Sequence, residues 1–312
     1  MSDIHTNNET SEPSHDEVKH VGGQAVIEGV MMRAPASIVI AVRKPDDNIV
    51  IRREKLTPLK ERFPPFKWPI LRGIAVLIES LVWGMKALTY SANQAVEADD
   101  EEGSPKEMGG FTIAITMMVS FALGIGLFVI LPERLANLVS ERSIIFNAAD
   151  GALRLTIFLA YILIISRSKY ISRVFEYHGA EHKSIHAYEA GEELTEENAL
   201  KFSPQHPRCG TAFLMTVMVV GILVFSIFGK PPSILVRIGT RLLLLPFIAG
   251  VSYEIIKLTS KKQDNRFVKL IMLPGLWLQR LTTKEPSRDQ IQVALRSLKE
   301  VLAMEADGMD QR

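Results

Sequence analysis

The chain has 312 residues, 47% of them apolar, with 36 basic and 35 acidic side chains and a formal charge of +1. That balance gives no electrostatic case for nucleic-acid binding, and a single cysteine excludes an internal disulfide framework. The apolar content points towards a membrane protein, long enough for one large domain or two small ones.

Residues 1–20 are polar and carry no apolar run, so they read as a disordered tail rather than a cleavable signal peptide. His5, His15 and His20 within it are expected to be solvated. Residues 21–66 read as a cytosolic β-hairpin region. Ser37–Val42 is β-branched and apolar, Lys44–Asn48 supplies turn chemistry, and Ile49–Ile51 starts the return strand. Gly22, Gly23 and Gly29 flank the stretch Gln24–Glu28, and Glu28 is expected at a hairpin surface or core edge rather than in catalysis. Pro64, Pro65 and Pro69 break the chain before a long amphipathic or interfacial helix within residues 67–96. Arg72, Glu79, Lys86 and Asn93 recur every seven residues along it, one narrow polar stripe on an otherwise apolar helix.

An acidic linker, 97–109, leads into an expected four-span membrane bundle, 110–258. The spans are Phe111–Leu131, which has 21 residues and no charge, then Ala152–Ile165, Thr211–Phe228 and Leu242–Leu258. Arg154 must sit near one end of the second span or face a polar interior. Glu254 is expected near the cytosolic end of the fourth, at the depth of the histidine-rich connection 166–210. That connection carries six lysines and arginines, against two in 132–149 and three in 229–241, the last including Arg241. The positive-inside rule therefore puts both termini and the histidine-rich connection on the cytosolic side of the membrane. Within 259–312, Leu270–Leu278 contains Pro274-Gly275 and Trp277 and suits an interfacial segment. Ser287 and Gln290 form a capping box before an amphipathic helix marked by Ile291, Ala294, Leu295, Leu298, Val301 and Leu302. The expected fold is a mainly α membrane protein with about four transmembrane helices, an N-terminal β-hairpin region, and cytosolic and interfacial helices.

Four of the seven histidines and the only cysteine fall between Tyr177 and Gly210. His178, Glu181 and His182 fit the pattern H-x-x-E-H. On a helix, positions i and i+4 share a face, so two imidazoles reach one metal. The neighbouring glutamate can take a proton from a water whose pKa the cation lowers. His186 extends the face, but it lies roughly 12 Å from His178 along the axis, too far for one ion unless the helix bends at Gly179. His206 and Cys209 are three apart in a turn rich in proline and glycine, a spacing common to zinc ligand pairs. Four protein ligands would mean a structural metal, three plus water a catalytic one; both remain open. Glu254 is a further ligand candidate, with pairing to Lys257 or Arg173 as its alternative. No Walker A loop, G-x-G-x-x-G, G-x-S-x-G or C-x-x-C is present.

The stretches Gly22–Arg33, Phe175–Lys183, His206–Thr211, Pro274–Gln279 and Thr282–Gln290 resemble the signatures of the YqhQ-like bacterial membrane proteins, a family of unknown function. The resemblance covers roughly residues 21–303. It implies a bacterial cytoplasmic-membrane protein, sometimes labelled a metal-dependent enzyme, and supplies no reaction.

Two functions are therefore carried forward. In the first, a zinc-type ion is bound among His178, His182, His186, His206, Cys209 and Glu254, and Glu181 is the general base of a hydrolase. In the second, the chain is a non-catalytic scaffold that docks a partner such as a membrane-insertion or translation-associated complex, with a structural metal or none. Small-molecule transport is disfavoured because polar residues within the spans are sparse.

Overall fold

The computed structural model describes residues 21–96, 110–139, 143–227, 233–260 and 265–309. The expected tail at 1–20 and linker at 97–109 lie outside them. Four strands, β1 (Gly22–Val26), β2 (Gly29–Arg33), β3 (Ser37–Arg43) and β4 (Ile49–Lys55), form an antiparallel meander in chain order. The expected hairpin is β3–β4, and a second hairpin precedes it. Asp47 closes the β3–β4 turn at φ 65° while the Asn48 N–H donates to Asp46 Oδ1 at 3.1 Å; Asn and Asp tolerate that conformation and bond their own backbone.

The first helices are α1 (Leu59–Arg62), α2 (Leu71–Val96), α3 (Gly110–Ile125), α4 (Leu131–Val139), α5 (Ser143–Ile165) and α6 (Lys169–Glu189). They are followed by α7 (Glu196–Leu200), α8 (Gly210–Ile227), α9 (Ile234–Ser260), α10 (Arg266–Thr282) and α11 (Arg288–Met309). The sheet is covered on both faces. Met32, Val39 and Ala41 pack with Tyr177 and Ala180 of α6 and Ile291, Leu295 and Leu298 of α11. Met31, Ile38, Ile40 and Val42 pack on the other side against Trp83, Ala87 and Leu88 of α2. This double burial is why β3 reads as a continuous apolar run instead of an alternating one.

Four helical stretches are long and apolar enough to cross a membrane: 114–139, 145–165, 210–227 and 238–259. The first extends beyond the expected end at Leu131 because α3 and α4 are joined through a π-helical segment, Gly126–Ile130. This widened turn lies just ahead of Pro132, whose missing N–H interrupts the ladder. The second starts earlier than Ala152. Its charges do not end the helix because they pair within the bundle: Arg154 and Arg241 both reach Asp150 Oδ2, at 3.1 and 2.6 Å. Arg241, expected in a connection, lies on α9.

Helix α2 joins the two regions. Its start packs on α9 where Gly73 and Gly250 meet; a Cβ on Gly73 would lie 2.9 Å from Gly250 Cα. Its later turns cover the sheet. Three members of its polar stripe are engaged: Arg72 with Glu254 of α9, Glu79 with Arg33 of β2, and Lys86 4.3 Å from the centre of the Trp83 ring.

Candidate metal centre

Helix α6 carries the histidine tract on one face, and its opposite face closes the sheet domain through Tyr177 and Ala180. The chain then turns through α7 and returns along 201–209, so His206 and Cys209 come back over the histidine face just before α8 begins. The His178 and His182 ring centres are 4.4 Å apart, as are those of His186 and His206. His182 and His206 stand 5.7 Å apart between them. The four imidazoles make one continuous row.

Two trios in this row bring potential ligand atoms within 4.8 Å of one another: His178, His182 and Cys209, and His186, Glu189 and His206. His178 and His186 therefore fall in different trios, as their separation along the helix requires. Glu189 was not anticipated from the sequence, although it lies one turn beyond His186 on the same face.

Hydrogen-bond partners separate the trios chemically. A carbonyl oxygen only accepts, so a ring nitrogen facing one carries the proton. His178 Nδ1–H donates to the Thr282 carbonyl at 2.8 Å, and His182 Nδ1–H donates to the Pro204 carbonyl at 2.5 Å. Both rings thus turn an Nε2 lone pair inwards. That of His178 faces Cys209 Sγ at 3.2 Å, and that of His182 is buried with no hydrogen-bond partner. Metal-binding histidines show this arrangement, with the second nitrogen fixed by a backbone carbonyl. Ligands of a tetrahedral zinc site lie roughly 3.3–3.7 Å apart, given bond lengths of about 2.0–2.3 Å. The ligand atoms of the first trio lie within 4.8 Å of one another, so they would have to draw closer to hold a zinc-type ion.

The second trio fits poorly. The Arg208 backbone N–H donates to His206 Nδ1 at 3.2 Å, leaving the ring proton on Nε2, where it donates to Glu189 Oε2 at 3.2 Å. Glu189 is also held by the Arg208 guanidinium, and His186 Nε2–H donates to the Gln205 carbonyl at 2.9 Å. A metal at His206 Nε2 would need the proton moved to a nitrogen that already faces a donor. This trio is a hydrogen-bond network that holds the 204–209 turn. Gln279 completes it by bonding both the N–H and the carbonyl of His206 at 2.9 Å.

Burial sets the electrostatics. His182 is 1% exposed and its imidazole is pushed well below the usual range; His206 is pushed down to about 4. Both rings are neutral, but only that of His182 keeps an Nε2 without a hydrogen-bond partner. Burial pushes the Cys209 thiol up, opposed by the Thr211 hydroxyl at 3.1 Å and the Thr211 N–H at 3.4 Å. Glu181 is also buried, and desolvation raises it to about 8, with the Gly23 N–H donating to its carboxylate. Its Oε2 lies 3.4 Å from His182 Nε2. A Cβ on Gly23 would come within 2.6 Å of the Glu181 side chain, so β1 can pass this close only as glycine.

Glu254 does not join either trio. Arg72 grips both of its oxygens, Nε bonding Oε1 at 2.6 Å, and the Ile70 N–H adds a third bond at 3.3 Å. Arg173 pairs instead with Glu28, which places that acid on the α6 side of the β1–β2 turn. Gly179 serves close packing rather than a bend: α6 is one unbroken helix, and a side chain at 179 would strike the Lys284 carbonyl.

Residues 68–304 match the family described as "Protein of unknown function (DUF1385)". The chain is similar to "Uncharacterized protein YqhQ" of Bacillus subtilis (strain 168), with 36% identity over 306 positions covering 91% of this chain and 93% of the relative. No solved structure matches the chain.

Proposed function

We propose that this chain, which belongs to the DUF1385 family of proteins of unknown function, is a membrane metalloprotein that holds a zinc-type ion between His178, His182 and Cys209 and uses Glu181 as the acid–base group of a hydrolytic reaction. One observation carries the reading: His182 Nε2 is buried with no hydrogen-bond partner, and potential ligand atoms of His178, His182 and Cys209 lie within 4.8 Å of one another. A buried polar atom left unsatisfied costs on the order of 1–3 kcal/mol, and a ligand that accepts its lone pair removes that cost. A zinc-type ion would supply Lewis-acid activation of water. His178 and His182 are pre-oriented by their carbonyl partners. Glu181, with its Oε2 3.4 Å from His182 Nε2, would be the carboxyl, tuned towards neutrality, that exchanges a proton at this site.

The charge asymmetry of the connections supports a cytosolic site in a cytoplasmic membrane, with both termini on the same side. A second reading is favoured by the burial of His182, Glu181 and Cys209. In it the ion is structural, with Glu181 as fourth ligand, and staples α6 to the entry of α8.

Metal analysis of purified protein tests the first point: about one zinc-type ion per chain is expected, lost in His182→Ala. A metal-free, well-folded wild type would end both readings. Glu181→Gln then divides them. Retained metal with loss of hydrolysis in a screen of ester, amide and phosphoester substrates supports catalysis, whereas loss of the metal itself supports the staple.

A further inference from the structure

Away from the histidines, an open cavity of about 600 Å³ is lined by Arg167, Lys169, Ser172, Arg173, Glu176 and Lys284. It begins immediately after Ile165, the last residue of an apolar span. Its charges are unbalanced. Arg173 is matched by Glu28, but Lys284 is held by neutral acceptors, the Ser172 hydroxyl at 2.9 Å and the Ser166 carbonyl at 3.3 Å. Among the described residues, Arg167 and Lys169 have no acidic partner, and both are exposed. Glu176 is the one carboxylate in the wall, and it bonds Ser172 and Gln290.

The last turn of the span, just ahead of the pocket, exposes Leu163 and Ile164. Tyr170, next to Lys169, is 85% exposed. Aromatic and aliphatic side chains around a basic pocket at a span terminus suit the level where phosphates meet acyl chains.

We propose that this pocket binds the phosphate headgroup of an anionic phospholipid, with the exposed Leu163, Ile164 and Tyr170 beside its glycerol and acyl region. The phosphate oxygens accept from Arg167, Lys169 and Lys284. A lipid is preferred to a soluble phosphate because the pocket opens at the end of a span and is flanked by exposed apolar surface, which a small hydrophilic anion would leave uncovered.

The test is native mass spectrometry of the full chain in neutral detergent with added phosphatidylglycerol, phosphatidylcholine or inorganic phosphate. Wild type should retain phosphatidylglycerol in preference to phosphatidylcholine. Arg167→Gln/Lys169→Gln should weaken that retention about twenty-five-fold, at roughly fivefold per surface charge. The control Arg296→Gln/Lys299→Gln, on exposed positions of α11, removes the same formal charge and should retain the lipid. Equal retention of the two lipids, or equal loss in pocket and control variants, would overturn the proposal. Displacement of the lipid by millimolar inorganic phosphate would assign the pocket to a soluble anion and overturn it equally.

Discussion

Cys209 Sγ lies 3.2 Å from the Nε2 of His178, whose other ring nitrogen is fixed by the Thr282 carbonyl. The thiol and the imidazole are therefore aimed at each other by the backbone, not by chance rotamers. With His182 they form a trio that differs in kind from the adjacent His186–Glu189–His206 group. The expected outcome is unequal variants: His178→Ala, His182→Ala and Cys209→Ala lose bound metal, whereas His206→Ala keeps it and loses stability instead. Metal analysis paired with thermal unfolding reads both. Loss of metal in His206→Ala with normal stability would contradict the assignment of ring protons.

Glu181 gives a pH signature. Its carboxyl titrates near 4.5 when unfolded and is raised to about 8 in the metal-free fold. The folded state holds this proton more tightly, so the contribution of Glu181 to stability is fully present below pH 4.5 and is lost as pH rises towards 8. The slope is at most about 1.4 kcal/mol per pH unit in that window. Below about pH 6.5 the lowered imidazoles of His182, His186 and His206 act in the opposite sense, so the window that isolates Glu181 is pH 6.5 to 8: chelator-treated wild type is expected to unfold more readily at pH 8 than at pH 6.5, and Glu181→Gln to show a flatter dependence. Denaturant midpoints at the two pH values check this; parallel changes in wild type and variant would refute it.

The approach of β1 to this carboxyl predicts the effect of Gly23→Ala. The added methyl has no room beside Glu181. The strand or the carboxylate must shift, at a cost of roughly 1–3 kcal/mol for overpacking. Gly22→Ala, where a Cβ meets nothing, is the matched control. The same measurement on both variants should separate them, and if Gly23→Ala also lowers activity or metal content, β1 is part of the site.

Much of this was legible in the sequence, and the exceptions share a cause. The four spans and the histidine face followed from hydropathy and helical period, which are local. The β1–β2 hairpin was less visible because its turn uses Ile27 and Glu28 without the glycine pair that marks a tight hairpin. Glu254 was misplaced because depth along a span says nothing about rotation around it; only the packing of α2 on α9 shows that Arg72 is its partner. The role of Gly23 was invisible for the same reason, since it depends on a residue 158 positions away. Which histidine nitrogens are free depends on the carbonyls of Pro204 and Thr282, which no side-chain motif encodes.

The Arg72–Glu254 pair yields a negative prediction. Glu254→Gln should leave metal content unchanged, because the carboxylate faces α2 and not the histidines. It should instead weaken the docking of α2 on the span, seen as faster proteolysis near residues 59–70. Loss of metal in this variant would return Glu254 to the ligand set.

Asp150 is the acid between two arginines inside the spans, and all three side chains are largely buried. Asp150→Asn removes the one charge that both guanidinium groups share and leaves them in a low-dielectric interior. Breaking a buried pair in this way costs on the order of 3–5 kcal/mol, whereas removing the whole set costs much less. Asp150→Asn is therefore expected to lower the unfolding midpoint in detergent sharply, and the triple variant Asp150→Asn/Arg154→Met/Arg241→Met to recover most of the loss. Additive losses instead of recovery would mean that the arginines have independent partners and that Asp150 is not their common counter-charge.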